Sequence, residues 1–121
     1  MMDTAVIGTD DLSLFKTLGA EAEALGYESV WTSNGLDLIE EIGHRCPGVV
    51  FIDAAIPVIG AYGCCAELRR DRTLPQDLPV FLLTNDETSP HILLRFGFSG
   101  TFSKRHGFFE LREFLAHNVW K

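Results

Sequence analysis

The chain has 121 residues, of which 46% are hydrophobic and 22% charged, so we expect a single globular domain covering residues 1–121. Its 17 acidic residues outnumber its 10 lysines and arginines, and the net charge of −7 argues against direct contact with nucleic acid. The apolar runs are too short to cross a bilayer and the first residues do not resemble a signal peptide, so we expect a cytoplasmic protein without membrane contacts.

The cysteine pattern gives no sign of a disulfide framework or a metal site. There are three cysteines, Cys46, Cys64 and Cys65, and an odd number cannot form a complete set of pairs. The two adjacent residues also lack the spacing of a metal-binding or redox pair. We therefore interpret all three as reduced structural thiols.

The first half of the chain alternates between the patterns of strands and helices. Taken in order, it contains a strand at 5–8, a helix over 14–25, a strand at 28–31, and a helix that carries Leu38, Ile39 and Ile42 on its inner face. The polar cluster Thr9-Asp10-Asp11 suits the start of the first helix, and Gly26 suits its end. Asp10 is one candidate for the residue that caps this helix.

The second half continues the alternation. It contains a strand at 49–53, a loop and a helix ending near Arg70, a strand at 79–83, a helix from Ser89-Pro90 to Gly97, a strand at 100–103, and a final helix marked by Phe108, Leu111, Phe114 and Leu115. The third and fourth strands are continuous apolar runs, which is typical of strands buried on both faces of a sheet. A helix after every strand predicts an α/β fold whose sheet is parallel, with five helices on its two faces.

Four polar residues fall at the carboxyl ends of four strands. They are Asp10, Asp53, Thr84 and Lys104. In the flavodoxin-like strand order 2-1-3-4-5, the first and third strands flank the crevice in which ligands bind, so Asp10 and Asp53 should lie side by side. Two neighbouring carboxylates favour a shared proton or a hard divalent cation, and Mg²⁺ suits such a pair of oxygen ligands.

These residues resemble the motifs of the CheY-like receiver domains of two-component response regulators. Asp10-Asp11 resembles the acidic pair of that family, and Asp53-x-x-Ile56-Pro57 resembles its phosphoacceptor strand and loop. Thr84 matches the hydroxyl residue after the fourth strand, and Lys104 matches the lysine after the fifth. The resemblance extends from the first strand to the last helix, and its strength comes from the motifs occurring together and in order.

The resemblance implies that Asp53 accepts a phosphoryl group from a sensor histidine kinase or a phosphotransfer protein. It also implies a Mg²⁺ site formed by the carboxylates of Asp10 and Asp53 and the main-chain carbonyl of Ala55, with Asp11 as a further candidate ligand. By this resemblance the chain would catalyse at most its own phosphorylation and dephosphorylation, and it would not be a metabolic enzyme.

The resemblance further implies that Lys104 pairs with a phosphoryl oxygen and that the Thr84 hydroxyl donates a hydrogen bond to it. Phosphorylation would then change contacts with a downstream effector protein or an output domain. A homodimer through the fourth helix, fifth strand and fifth helix is a further expectation.

Four positions depart from the family pattern. They are Thr9 in place of the first acidic residue, Asn85 in place of a small residue, Thr101 in place of an aromatic residue, and Arg105 in place of proline. Phe102 should point to the other face of its strand. These departures leave open a pseudo-receiver, a protein-interaction module that works without phosphate. A flavodoxin-like cofactor binder is disfavoured, because the first loop lacks a phosphate cradle.

Overall fold

A computed structural model describes residues 3–105 and Glu113 of the chain. Its strands are β1 (Thr4–Gly8), β2 (Glu28–Thr32), β3 (Val49–Asp53), β4 (Val80–Thr84) and β5 (Gly100–Ser103). Its helices are α1 (Leu12–Ala24), α2 (Gly35–Arg45), α3 (Ala61–Arg70) and α4 (Pro90–Phe96). The predicted final helix, with Phe108, Leu111, Phe114 and Leu115, lies outside the described residues.

The five strands form one parallel sheet in the order β2-β1-β3-β4-β5, which confirms the predicted topology. β3 lies at the centre, and all five of its residues are buried, as its continuous apolar sequence requires. Gly8 of β1 is level with Ile52 of β3, so the residues that follow these two strands emerge at the same edge of the sheet. The site is built at this edge.

Successive side chains of each strand point to opposite faces of the sheet, and both faces carry apolar side chains. Helices therefore cover both faces. On one face, Val50 and Ile52 pack with Leu38 of α2 and Leu68 of α3. The opposite face packs against α1 and has its own cluster of buried residues, which includes Leu18, Ala22, Phe51, Leu83 and Phe102. Each face therefore has its own hydrophobic core.

The alternation in β5 is as expected from the sequence. Phe102 is buried and its ring lies 5.0 Å from that of Phe81, whereas Thr101 is exposed on the other face. Thr101, noted above as a departure from the family pattern, therefore presents its hydroxyl group to solvent.

Side-chain caps mark the beginnings of three helices. Asp11, and not Asp10, caps α1: its carboxylate accepts a hydrogen bond from the Leu14 N–H at 3.2 Å. Asn34 caps α2 and Ser89 caps α4, the latter directly before Pro90. These contacts satisfy backbone N–H groups that have no partner inside the helix.

The thiols of Cys64 and Cys65 are buried in α3, and burial raises the pKa of each to about 11. Both are therefore protonated at neutral pH and chemically inert, as expected for structural thiols. Cys46, at the end of α2, is exposed and free. In the part of the chain that the structure describes, no helix combines the length and the apolar character needed to span a membrane.

The loop between β3 and α3 contains a strained residue. Val58 has a φ of 76°, a left-handed conformation that disfavours β-branched side chains, and its side chain is 75% exposed. We expect Val58→Gly to raise the free energy of unfolding by about 1 kcal/mol, because the relief of strain exceeds the entropy that glycine adds to the unfolded chain. Urea denaturation measures this change.

Val58→Ala is the matched comparison. Alanine removes the branched side chain but keeps the Cβ atom that makes a left-handed backbone unfavourable. It should therefore stabilise the protein less than glycine does. A glycine variant that unfolds at a lower urea concentration than the wild type would show that the loop is not strained at this position.

Candidate functional site

Asp53 is the last residue of β3, and it is a carboxylate inside the protein. Its exposed fraction is 2%, because β1 and β4 flank β3 on both sides and the loop after β3 folds back over the strand end. A buried carboxylate is costly unless donors surround it. The contacts of its two oxygens therefore show how the protein stabilises this buried charge.

Three donors contact the Asp53 carboxylate. The Lys104 ammonium lies 2.8 Å from Oδ1, and the Ala55 N–H donates to the same oxygen at 2.9 Å. The Thr9 hydroxyl donates to Oδ2 at 2.6 Å. The donors come from the ends of β1 and β5 and from the loop after β3, so the fold gathers residues that lie far apart in the sequence. Lys104, for example, is 51 residues from Asp53.

These donors keep Asp53 ionised. Burial acts to raise the pKa of Asp53, but the hydrogen bonds from Lys104, Thr9 and the Ala55 N–H outweigh it, and the pKa lies below its ordinary value of 3.8. At neutral pH the site therefore presents a carboxylate, which is the form of the side chain that acts as a nucleophile or a metal ligand.

Thr9, one of the four departures from the family pattern, is also a residue of the site. It is fully buried directly after β1, and its hydroxyl contacts Asp53 as described above. The register of β1 and β3 places the residue after Gly8 level with Asp53, and this register is known only from the structure. A polar β-branched residue at that position is well placed to bond to the carboxylate.

Thr84 ends β4 and is 7% exposed, next to the end of β3. Its hydroxyl oxygen accepts a hydrogen bond from the Asp86 N–H at 3.1 Å, and its carbonyl accepts one from the Lys104 N–H at 3.3 Å. Within residues 3–105 no hydrogen bond joins Thr84 to Asp53. Thr84 therefore lies at the edge of the site and contacts the loop after β4.

The two acidic residues after Thr9 lie farther out. Asp10 is exposed, and among the described residues it forms no hydrogen bond or ion pair with Asp53. The Asp11 carboxylate caps α1. The backbone N–H of Asp11 donates to the Thr9 hydroxyl oxygen at 3.1 Å. No group of three or more His, Cys, Asp or Glu side chains is placed to hold a metal ion in the described ranges.

An open cleft of about 460 Å³ leads to the Lys104 side of the site. Its lining comes from α1, the loop before it, and the ends of β4 and β5: Asp11, Ser13, Leu14, Thr17, Asn85, Lys104 and Arg105. Asn85 and Arg105, two of the departures noted above, therefore border the entrance.

Solved structures share this architecture. The chain superimposes on the chemotaxis protein CheY4 of Vibrio cholerae with a TM-score of 0.83, covering 96% of this chain and 98% of that one at 19% identity. The chain has the fold of a response regulator receiver domain. A putative response regulator from Chloroflexus aurantiacus matches this receiver fold with a TM-score of 0.80, over 96% and 99% of the two chains at 20% identity.

The same receiver fold occurs in the receiver domain of sensor histidine kinase PA1611 from Pseudomonas aeruginosa. That structure has a magnesium ion coordinated in its active site cleft, and it matches with a TM-score of 0.82 over 95% of each chain at 18% identity. These matches confirm the predicted fold and the resemblance to receiver domains.

Curated relatives of the chain are described as probable transcriptional regulators named ycf27. The protein from Guillardia theta is 30% identical over 82 residues, which cover 68% of this chain and 31% of the relative. The protein from Pyropia yezoensis is 31% identical over 75 residues, covering 62% and 29%. The aligned residues thus account for about a third of the length of these relatives. No protein-family model matches the chain.

Proposed function

We propose that this receiver-fold domain accepts a phosphoryl group on Asp53 and signals by changing its protein contacts. The observation that carries the proposal is the 2.8 Å contact between the Lys104 ammonium and Asp53 Oδ1. This contact supports the proposal because a carboxylate lies beside a cation that can pair with a phosphoryl oxygen, at the sheet edge where α/β folds bind ligands. The proposed donor is a phosphohistidine of a sensor histidine kinase or a phosphotransfer protein.

The reaction transfers a phosphoryl group from an imidazole nitrogen to a carboxylate oxygen. An Asp53 oxygen forms a bond to phosphorus while the P–N bond of the phosphohistidine breaks, and the bonding electron pair stays on the imidazole nitrogen, which takes up a proton. The carboxylate charge of Asp53 is lost and the charge of the phosphoryl group arrives, so Lys104 exchanges one anionic partner for another. Hydrolysis of the acyl phosphate then resets the domain.

The donors at this edge of the sheet are of the chemical kind that a magnesium ion takes. Asp53 and Asp10 would supply carboxylates and Ala55 a main-chain carbonyl, which are the hard oxygen ligands that Mg²⁺ prefers, and Asp10 is exposed and forms no hydrogen bond or ion pair with Asp53 within residues 3–105. The Asp11 carboxylate is a further candidate, although it already caps α1, and the Thr9 hydroxyl can hold a metal-bound water. The chemistry that Mg²⁺ supplies when bound is neutralisation of the negative charge between the carboxylate and the phosphoryl group.

Thr84 is the residue proposed to respond to phosphorylation. Its hydroxyl oxygen accepts from the Asp86 N–H, so its proton remains available to a phosphoryl oxygen. A shift of Thr84 would move the β4–α4 loop and the face formed by α4 and β5. α4 exposes Leu94 (75%) and Ile92 (44%) on its surface, which supports contact with an effector protein, an output domain or a second copy of the chain.

Two broader features support the proposal. The curated relatives are named as transcriptional regulators and are about three times as long as the matched region, which supports an output domain as the partner. The net charge of −7 supports signalling through proteins instead of direct contact with nucleic acid. We place this signalling in the cytoplasm.

The test is incubation of the protein with acetyl phosphate and Mg²⁺, followed by intact-mass measurement. The wild type should gain the mass of one phosphoryl group, and Asp53→Asn should gain none, because its amide cannot form the acyl phosphate. Asp77→Asn is the matched control, since this exposed aspartate lies in the α3–β4 loop, away from the site. A wild type without an adduct would favour the phosphate-independent module.

A further inference from the structure

We infer that Thr9 is a positioning residue that slows phosphoryl transfer to Asp53 by holding Oδ2, the oxygen left available for attack. The inference rests on the proposed function and concerns one of the four positions that depart from the family pattern. It follows from how the three donors are divided between the two carboxylate oxygens.

Each carboxylate oxygen can accept about two hydrogen bonds. Oδ1 already has two donors, the Lys104 ammonium and the Ala55 N–H. Oδ2 has one donor, the Thr9 hydroxyl at 2.6 Å, and so keeps one lone pair free. Oδ2 is therefore the oxygen that can approach phosphorus without displacing a donor, and Thr9 is the residue that controls it.

The position of Thr9 is fixed by contacts on every side of the residue. Its N–H donates to the Thr32 carbonyl at 2.9 Å, and its carbonyl accepts from Trp31 Nε1 at 2.8 Å, which ties it to β2. Its hydroxyl oxygen also accepts from the Asp11 N–H at 3.1 Å. Thr9 is fully buried and Asp53 is 2% exposed, so the hydroxyl stays on Oδ2.

A hydrogen bond to the attacking oxygen stabilises the carboxylate more than the transition state, because Oδ2 loses negative charge as its bond to phosphorus forms. With acetyl phosphate, the Oδ2–P bond forms, the bond from phosphorus to the acetyl oxygen breaks, and acetate leaves with the electron pair. Thr9 keeps its proton throughout. Its hydrogen bond weakens along the reaction, and this loss raises the barrier.

The experiment compares variants at position 9 that differ in the hydroxyl group. Thr9→Val keeps the branched shape and removes the donor, Thr9→Ala removes both, and Thr9→Ser keeps the donor. With acetyl phosphate and Mg²⁺ at fixed concentrations, we expect the valine and alanine variants to be phosphorylated about tenfold faster than the wild type, the factor that one hydrogen bond to a charged group supplies. The serine variant should react at the wild-type rate.

A second measurement does not depend on turnover. Beryllofluoride mimics the phosphoryl group on the aspartate, and its binding is followed by ¹⁹F NMR. The variants without a hydroxyl should bind it about tenfold more tightly, because they lose no hydrogen bond on binding. The serine variant should again match the wild type. A purely structural role for Thr9 would not produce tighter binding in the variants without a hydroxyl.

The outcomes separate this inference from the function it rests on. Equal rates and affinities in all variants, or slower reaction without the hydroxyl, would overturn the role of Thr9 and leave phosphorylation of Asp53 intact. No adduct in the wild type or in any variant would overturn both. Faster reaction in the alanine variant alone would also overturn it, because the valine variant lacks the same donor.

Discussion

Replacing Lys104 with methionine is expected to lower the free energy of unfolding by about 2 kcal/mol at neutral pH, because the buried Asp53 carboxylate loses its cationic partner. The Lys104 side chain is 23% exposed and that of Asp53 is 3% exposed, so water relieves part of the larger cost of a fully buried unpaired charge. Methionine keeps the apolar stem of lysine, which confines the change to the ammonium group.

The effect of Lys104→Met should depend on pH, with a sign set by Asp53. In the wild type, the pKa of Asp53 is lowered by folding, so its contribution to stability is complete above the unfolded pKa and is lost as the pH falls through the folded one. Without Lys104, only the hydrogen bonds from Thr9 and the Ala55 N–H oppose the effect of burial, so the pKa of Asp53 should be higher than in the wild type. Protonation of Asp53 then removes the unpaired charge from the variant. The difference in free energy of unfolding between the variant and the wild type should therefore shrink as the pH falls towards about 4.

Urea denaturation at neutral pH and at about pH 4 measures both effects. Lys16→Met is the matched control, because Lys16 is exposed on α1 and its loss changes the net charge equally. Combining Asp53→Asn with Lys104→Met should recover part of the stability that the single Lys104 change removes, since no buried charge is then left unpaired. If the Lys104 and Lys16 variants unfold at the same urea concentration, the ion pair does not stabilise the fold.

The positions of Asp53 and Lys104 at strand ends could be predicted because both follow from the fold itself. A continuous apolar run defines β3, and parallel topology brings the carboxyl ends of its strands to one edge. The same argument could not choose among Thr9, Asp10 and Asp11, since consecutive residues at a strand end point in different directions. The structure places Thr9 against Asp53 and uses Asp11 as a helix cap.

The strain at Val58 and the hydrogen bonds of Thr84 also could not be predicted from the sequence. A valine gives no local signal for a left-handed backbone, and its conformation follows from how the loop must close between β3 and α3. Thr84 was placed correctly at the end of β4, but its hydrogen bond to the Asp86 N–H depends on the path of the following loop. Strand ends follow from local patterns, whereas side-chain partners require the tertiary structure.

Gly35→Ala is expected to destabilise the protein by about 3 kcal/mol, because the new methyl group has no space. A Cβ atom at Gly35 would overlap the Ile59 carbonyl oxygen and would lie 2.7 Å from Cys64 Sγ. The Ile59 atom belongs to the backbone of the β3–α3 loop, which the Gly35 N–H also holds through the Pro57 carbonyl at 2.9 Å. Relief of the clash therefore requires this loop to move away from α2.

Gly43→Ala in the same helix is the matched control. A Cβ atom there meets no atom within 4 Å, so alanine should stabilise α2 by about 0.5–1 kcal/mol through its better helix propensity. The two variants should therefore shift the urea midpoint in opposite directions. Ala55 lies in the β3–α3 loop, and its N–H holds Asp53 Oδ1. Gly35→Ala should therefore also slow phosphorylation by acetyl phosphate, and Gly43→Ala should not. A Gly35 variant as stable as the wild type would show that the loop yields without cost, and that α2 does not support the site.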